Sequence, residues 1–246
     1  MENVEDLMKS GDKSLQKEKY IDAIREYTKA LESVEDKSSS VAGELYYKIS
    51  QAYYAFQPKN NENSLDYGKK ALEVHEKTDE LDLQIMDLLN LGYIEMDGGS
   101  KGKSVEFFEE AAKRAGSVND DVLINISLLA KAELLSKEKS RQKEAVDIYE
   151  KVLSSAGESG DWDNYFEALH GKLALMRKNG DEKGAFKIAL DSLDLIDKIS
   201  SQIKNKKEKK AFKQSFDYMY DMASDIAMEM EDVEQAIKIA QRLEGA

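Results

Sequence analysis

The stretch LLNLGYIEMDGGSKGKSVEFFEEA, residues 88–111, decides the fold. Leu88, Leu91 and Gly92 fall at i, i+3 and i+4, one face of an α-helix. After the breaker run Asp97-Gly98-Gly99-Ser100, Ser104, Phe108 and Ala111 take up helical spacing again. The pattern predicts a helix, a turn and a second helix. Short side chains stand where two antiparallel axes approach, and an aromatic ring fills the gap beside them.

The second half of that stretch recurs along the chain. Its small, aromatic-or-small, small-or-apolar triplet reads Ala23, Tyr27, Ala30, then Ser64, Gly68, Ala71, then Ser104, Phe108, Ala111. It continues as Ala145, Tyr149, Val152, as Ala185, Ala189, Ser192, and as Ala236, Ala240, Leu243. The first members lie 41, 40, 41, 40 and 51 residues apart, a fixed period that marks stacked supersecondary units. A first-helix stripe precedes the triplet: Tyr46, Ile49, Ser50 and Tyr53 in the second unit, Tyr220, Ala223, Ser224 and Ala227 in the sixth. Further turns are written at Gln57-Pro58-Lys59-Asn60-Asn61 and Asn179-Gly180-Asp181.

This spacing resembles the tetratricopeptide repeat, whose two-helix unit reads Trp-x2-Leu-Gly-x2-Tyr and then Ala-x3-Phe-x2-Ala. Leu88, Leu91, Gly92, Ser104, Phe108 and Ala111 fit it without a gap, and Leu7, Gly11, Ala23, Tyr27 and Ala30 nearly so. In the fourth unit Leu128, Ala132 and Leu135 need one extra residue before Ala145, and in the fifth Lys172 stands where an apolar residue belongs. The resemblance implies an all-α fold, a right-handed superhelical solenoid of antiparallel helix pairs with about 12 helices. It implies a single domain over 1–246, with repeats near 4–36, 41–77, 81–116, 122–157, 162–200 and 206–246. The C-terminal unit also resembles the tetratricopeptide segment that precedes CHAT (caspase-like) peptidase domains, through Ile203, Phe212, Ser215, Phe216, Tyr218, Ala236 and Arg242.

Composition narrows the function. The 246 residues carry 49 acids against 36 bases, a net charge of −13, with one proline and no cysteine. So acidic a chain is poorly suited to neutralising phosphate backbones, which argues against general nucleic-acid binding. Without cysteine there is no disulfide, no thiolate metal site and no cysteine nucleophile, and the CHAT resemblance therefore carries over no peptidase activity. The start MENVEDLMKSGDKSLQ has acids where a signal peptide needs bases, and no window is apolar enough to span a membrane. A cytoplasmic location is expected.

Several short patterns suggest chemistry and are outweighed by structural readings. Residues 97–104 end like a phosphate-binding Gly-x4-Gly-Lys-Ser loop, but Asp97 replaces the first glycine and a helical period precedes it, so an inter-helix turn is expected. Glu167 and His170 have the spacing of one half of a di-iron site, and no second half exists. His75 and Asp79, i and i+4, offer two ligands on one exposed helix, too few for a metal. Lys204, Lys206, Lys207, Lys209, Lys210 and Lys213 spread around a helix and are read as a solvated junction, with a dock for an acidic partner as the alternative. Asn125-Ile126-Ser127 is a glycosylation signal without a secretory context. No catalytic residue, metal ligand or cofactor site is predicted.

The resemblance further implies a concave face built from the first helix of each unit, a groove for a protein segment. The residues expected there are Asp12, Leu15, Tyr47, Lys48, Gln51, Tyr54, Leu89, Asn90, Tyr93, Met96, Asp221 and Asp225. Aromatic faces, amides and acids suit a peptide or helical segment carrying apolar and basic side chains. Met8 and Asp12 occupy the first two positions of the lysine, arginine and asparagine clamp with which chaperone-binding relatives hold a carboxylate, so a chaperone-tail adaptor is not expected. The function predicted is a noncatalytic interaction scaffold, the alternative a sensing arm of a CHAT-type peptidase system. Val233, Ile237 and Ile239 on the last helix suggest self-association.

Overall fold

In the computed structural model, which describes residues 3–244, the repeat spacing is realised as helix after helix, with no strand among the described residues. The first seven are α1 (Val4–Leu15), α2 (Tyr20–Ser33), α3 (Ser40–Phe56), α4 (Glu62–Lys77), α5 (Leu81–Asp97), α6 (Lys101–Ser117) and α7 (Asp121–Ser136). A 3-10 turn at Lys139–Arg141 leads to α8 (Gln142–Ser159), α9 (Trp162–Lys178), α10 (Glu182–Gln202), α11 (Lys206–Ser215), α12 (Asp217–Glu229) and α13 (Val233–Glu244). The chain divides into two compact units, the first ending at Glu138 and the second beginning at Lys139. That division falls inside the expected fourth repeat, where the spacing slips by a residue and the 3-10 turn takes up the slack.

Seven of the turns close by one backbone device. Lys19, Glu80, Ser100, Asp120, Asp161, Asp181 and Asp232 each donate an N–H to the carbonyl five residues back, at 2.8–3.2 Å. The residue before each has a positive φ: Glu18, Asp79, Gly99, Asn119, Gly160, Gly180 and Glu231. This is the Schellman arrangement, which satisfies carbonyls left over at a helix end. Gly99 and Gly180 adopt the conformation freely; at Glu18, Asp79 and Glu231 a Cβ makes it costly. Several following helices start on a side-chain cap: Asp120 accepts from Leu123 N at 2.9 Å, and Asp181 from Gly184 N at 3.0 Å.

In the first unit, glycine and ring interlock. A Cβ on Gly11 would lie 2.3 Å from the Tyr27 ring, and one on Gly92 would lie 2.3 Å from Phe108, so each pair of axes approaches as closely as hydrogen allows. Both rings are fully buried. The small triplet positions also carry polar ties: Ser50 Oγ donates to Ser64 O at 2.7 Å, and Ser104 Oγ to Gly92 O at 2.8 Å. Residues 97–104 are the end of α5, a turn and the start of α6, with Ser104 buried against that carbonyl.

The second unit has one aromatic-rich core. Phe166 and Phe216 have centroids 4.6 Å apart, Phe212 meets Phe216 at 5.0 Å, and Leu173, Leu193, Ile196, Tyr220 and Ile226 surround them. Ala189 holds the aromatic position of the fifth repeat, and the space at Gly171 is filled instead by Tyr149 of α8. Lys172, out of place in the pattern, is largely covered and donates from Nζ to Glu150 at 2.5 Å.

Three sequence readings are corrected here. Lys213 is no solvated junction residue: it is buried, with Nζ 3.0 Å from Asp197 Oδ1 and 2.9 Å from the Arg242 carbonyl, and it ties α11 to α10 and α13. Ile239 is 2% exposed and belongs to the core, whereas Val233 and Ile237 are 52% and 53% exposed. His75 does not sit on an exposed helix beside Asp79 but is buried against Asp87. Asn125 is buried, which agrees with setting its glycosylation signal aside. Of the residues that carry the CHAT resemblance, Phe216 and Ala236 are core and Arg242 pairs with Asp194 and Asp197, whereas Ser215 is exposed.

Candidate functional site

Two of the helices that open a pair in the first unit, α3 and α5, present tyrosines and aliphatic side chains on one face. Between them lies a cavity of about 550 Å³ lined by Leu15, Tyr20, Tyr47, Gln51, Tyr54, Ala55, Met86, Leu89, Asn90, Tyr93 and Ile126. Seven of the residues expected in the groove are therefore brought together: Leu15, Tyr47, Gln51, Tyr54, Leu89, Asn90 and Tyr93. Helical spacing accounts for this, because Tyr47, Gln51 and Tyr54 are i, i+4, i+7 on α3 and Met86, Leu89 and Tyr93 are i, i+3, i+7 on α5.

The polar groups are held in place. Gln51 Nε2 donates to Tyr47 Oη at 2.7 Å, and Tyr54 Oη donates to Asp97 Oδ2 at 2.6 Å. Asn90, 8% exposed, donates to Ser50 Oγ at 2.8 Å across the α3–α5 seam, which leaves its amide as part of the floor. Burial pushes the Tyr47 phenol up to about 12, and the neighbouring charge of Asp87 adds to it. Burial raises Tyr54 as well, with its Asp97 hydrogen bond acting in the same sense. Both phenols are therefore neutral donors and acceptors at physiological pH. Tyr93 stands edge-on to Phe108 at 5.2 Å, and the core thus braces one wall.

Other expected residues lie elsewhere. Asp12 accepts from Tyr27 Oη at 2.7 Å and pairs with Lys48 Nζ at 2.8 Å. It also lines a second cavity of about 460 Å³ with Met8, Val4, Val41, Glu5, Lys9, Asn3 and Glu44. Met96 Sδ is 3.8 Å from Lys137 Nζ, outside the first cavity's lining. Asp221 and Asp225 are exposed on α12 in the second unit.

Sequence reasoning missed Tyr20, Ala55, Met86 and Ile126. Met86 was within reach, since it continues the Leu89 and Tyr93 stripe by one turn. Ile126 was within reach for the same reason, standing one 40-residue period after Met86, and Tyr20 opens a second helix, which the groove rule ignores. His170, edge-on to Tyr218 at 5.2 Å, has its pKa lowered by burial. Among the described residues no three His, Cys, Asp or Glu side chains cluster as metal ligands would.

No protein-family model and no curated protein matches the chain. Solved structures do. The chain aligns over 99% of its length with 99% of the apo form of RapI, at a TM-score of 0.65 and 16% identity. Over 98% it matches 74% of the Rap conjugation gene regulator of plasmid pLS20 in complex with the Phr* peptide, at 0.53 and 17%. Over 98% it also matches 36% of a signal transduction ATPase (STAND) protein with a tetratricopeptide repeat sensor from Pyrococcus horikoshii, at 0.69 and 18%. At these identities the likeness establishes the fold, an all-helical tetratricopeptide-type repeat.

Proposed function

We propose that the protein is a noncatalytic interaction scaffold that binds a peptide or helical segment of a partner protein in the cavity walled by Tyr47, Tyr54 and Tyr93. The cavity carries the reading: about 550 Å³ of largely apolar, aromatic wall with a few fixed polar groups is the form of a ligand site. A protein of the same fold held in complex with the Phr* peptide supports a peptide as the occupant. Asp97 beside Tyr54 and the net charge of −13 favour apolar and basic side chains over acidic ones, and nucleic acid is disfavoured on the same ground. The cysteine-free chain suits the cytoplasm as the setting. Among the described residues no helix is long and apolar enough to cross a membrane.

The test is selection of a displayed peptide library on the purified protein, followed by binding of the selected peptides to the Tyr47→Ala, Tyr54→Ala, Tyr93→Ala triple variant. Loss of buried aromatic anchors is expected to weaken binding by roughly thirtyfold or more. Unchanged affinity in a folded triple variant would remove the groove from consideration. Exposed Val233 and Ile237 are the surface proposed for self-association, and a concentration-independent sedimentation coefficient would dispose of that part.

The likeness to part of the Pyrococcus protein with a tetratricopeptide repeat sensor supports a second reading, in which the same groove is the sensing arm of a regulatory system such as a CHAT-type peptidase. A peptidase that co-purifies equally with the wild type and the triple variant would count against it.

A further inference from the structure

Behind the groove floor lies a polar pair that no contact in the groove requires. His75 on α4 and Asp87 on α5 are 2% and 0% exposed, with Nδ1 and Oδ2 2.6 Å apart. Neither is fully partnered, since His75 Nε2 and Asp87 Oδ1 have no protein donor or acceptor. Gly43 of α3 packs so tightly on the ring that a Cβ there would fall 2.5 Å from Nε2. Asp87 is one residue from Met86 and one turn before Asn90, and Gly43 is one turn before Tyr47. The pair thus joins α4 to α5 and packs on Gly43 of α3, where the three helices meet behind the groove.

The charged groups around the pair are already committed. On α6, Arg114 meets Glu76 of α4 at 2.8 Å and Glu110 at 3.0 Å, and donates to Gln84 Oε1 at 2.7 Å. Gln84 Nε2 in turn donates to the His75 carbonyl at 2.9 Å. Glu80, in the turn before α5, accepts from Ser40 Oγ at 2.6 Å and Thr78 Oγ1 at 2.5 Å. On α3 the titratable neighbour is Tyr47, neutral at physiological pH. Among the described residues no lysine or arginine is hydrogen-bonded to Asp87.

With one proton, the pair is a ring N–H donating to an ionised carboxylate, and the second carboxylate oxygen is a buried charge without a partner. With two protons the pair is neutral overall. A buried unpartnered carboxylate oxygen is costly, and hydration through a loosened seam relieves it. We propose that the His75–Asp87 pair is a proton-operated spacer for the groove: the doubly protonated pair closes the α3–α5 seam, and loss of one proton loosens it. This rests on reading the cavity as the binding groove. Occupancy by a segment that needs the wider seam is then linked to release of one proton.

Burial pushes the Asp87 carboxyl up to about 6, against the opposing hydrogen bond from His75. A raised pKa means that the proton favours the closed native form. That contribution is complete below the ordinary carboxylate value and is lost as pH rises through about 6.

Hydrogen exchange of the ligand-free protein between pH 5 and pH 7, corrected for intrinsic rates, tests the spacer directly. Protection of α3 and α5 amides is expected to fall roughly tenfold or more across that range while α10 and α12 hold theirs, and Asp87→Asn is expected to abolish the step. No step in the wild type overturns the proposal, and so does a step that survives in Asp87→Asn. The wild-type titration decides the matter even if the variant does not fold. For the link to the groove, the library-selected peptide is the probe, and its affinity should rise toward tenfold per pH unit near pH 6. A pH-independent affinity overturns the link. An exchange step in a protein that selects no peptide supports the spacer and defeats the groove reading instead.

Discussion

The two units use one repeat pattern to different ends. In the first, Ser50 and Asn90 join α3 to α5, Gly43 and Asp87 both pack on His75 of α4, and the tyrosines beyond them enclose a cavity. In the second, the rings of Phe166, Phe212 and Phe216 fill the interior, and Lys213, Asp197 and Arg242 tie three helices over it. The comparison separates two things that a repeat motif runs together. Small and aromatic positions at fixed spacing decide where the axes lie. The residues between them decide whether a face is a filled core or an open site.

The sharpest way to break that contrast is to hollow the filled unit. Phe166→Ala, at a fully buried ring, is expected to destabilise the second unit by about 3–5 kcal/mol. Tyr47→Ala on the cavity wall should cost far less stability than binding, as read by calorimetry beside peptide titration. Equal stability losses would mean that the two interiors do not differ as described.

A smaller effect is expected where glycine and ring interlock. Gly92→Ala should destabilise the first unit by about 1–3 kcal/mol, because the Phe108 ring must move, whereas Gly116→Ala meets nothing within 4 Å and should stabilise α6 by a few tenths. Denaturant midpoints for the two variants check the sign as well as the size. If both were neutral, close axial approach would not be what the small positions provide.

The smallest concerns the turns. Glu18→Gly relieves a left-handed non-glycine residue and is expected to gain up to about 1 kcal/mol, measurable as a rise in Tm. A loss would mean that the glutamate side chain has a role beyond the turn.

Helix pairing was legible from the first because Gly11 with Tyr27 and Gly92 with Phe108 stand at fixed separation. The turns marked by Gly99 and Gly180 were legible for a similar reason, since glycine announces a positive φ. Glu18, Asp79 and Glu231 make the same turn without announcing it, because there the helices on either side impose the conformation on a residue that does not favour it. Most of the cavity wall could be named in advance from first-helix positions. Met86 and Ile126, one 40-residue period apart, line it from equivalent first-helix positions that the groove rule leaves out.

The sequence by itself determined the all-helical repeat, its period and the tyrosines that line the cavity, because these depend on the order of side chains along a helix. Only the tertiary structure decided that His75 meets Asp87 rather than Asp79, that Lys213 and Ile239 are buried, and that Asn90 is tied to Ser50. Those pairings join residues on different helices. Burial and partner choice depend on how closely the axes pack, and spacing along one helix carries no record of what the next helix brings to the seam.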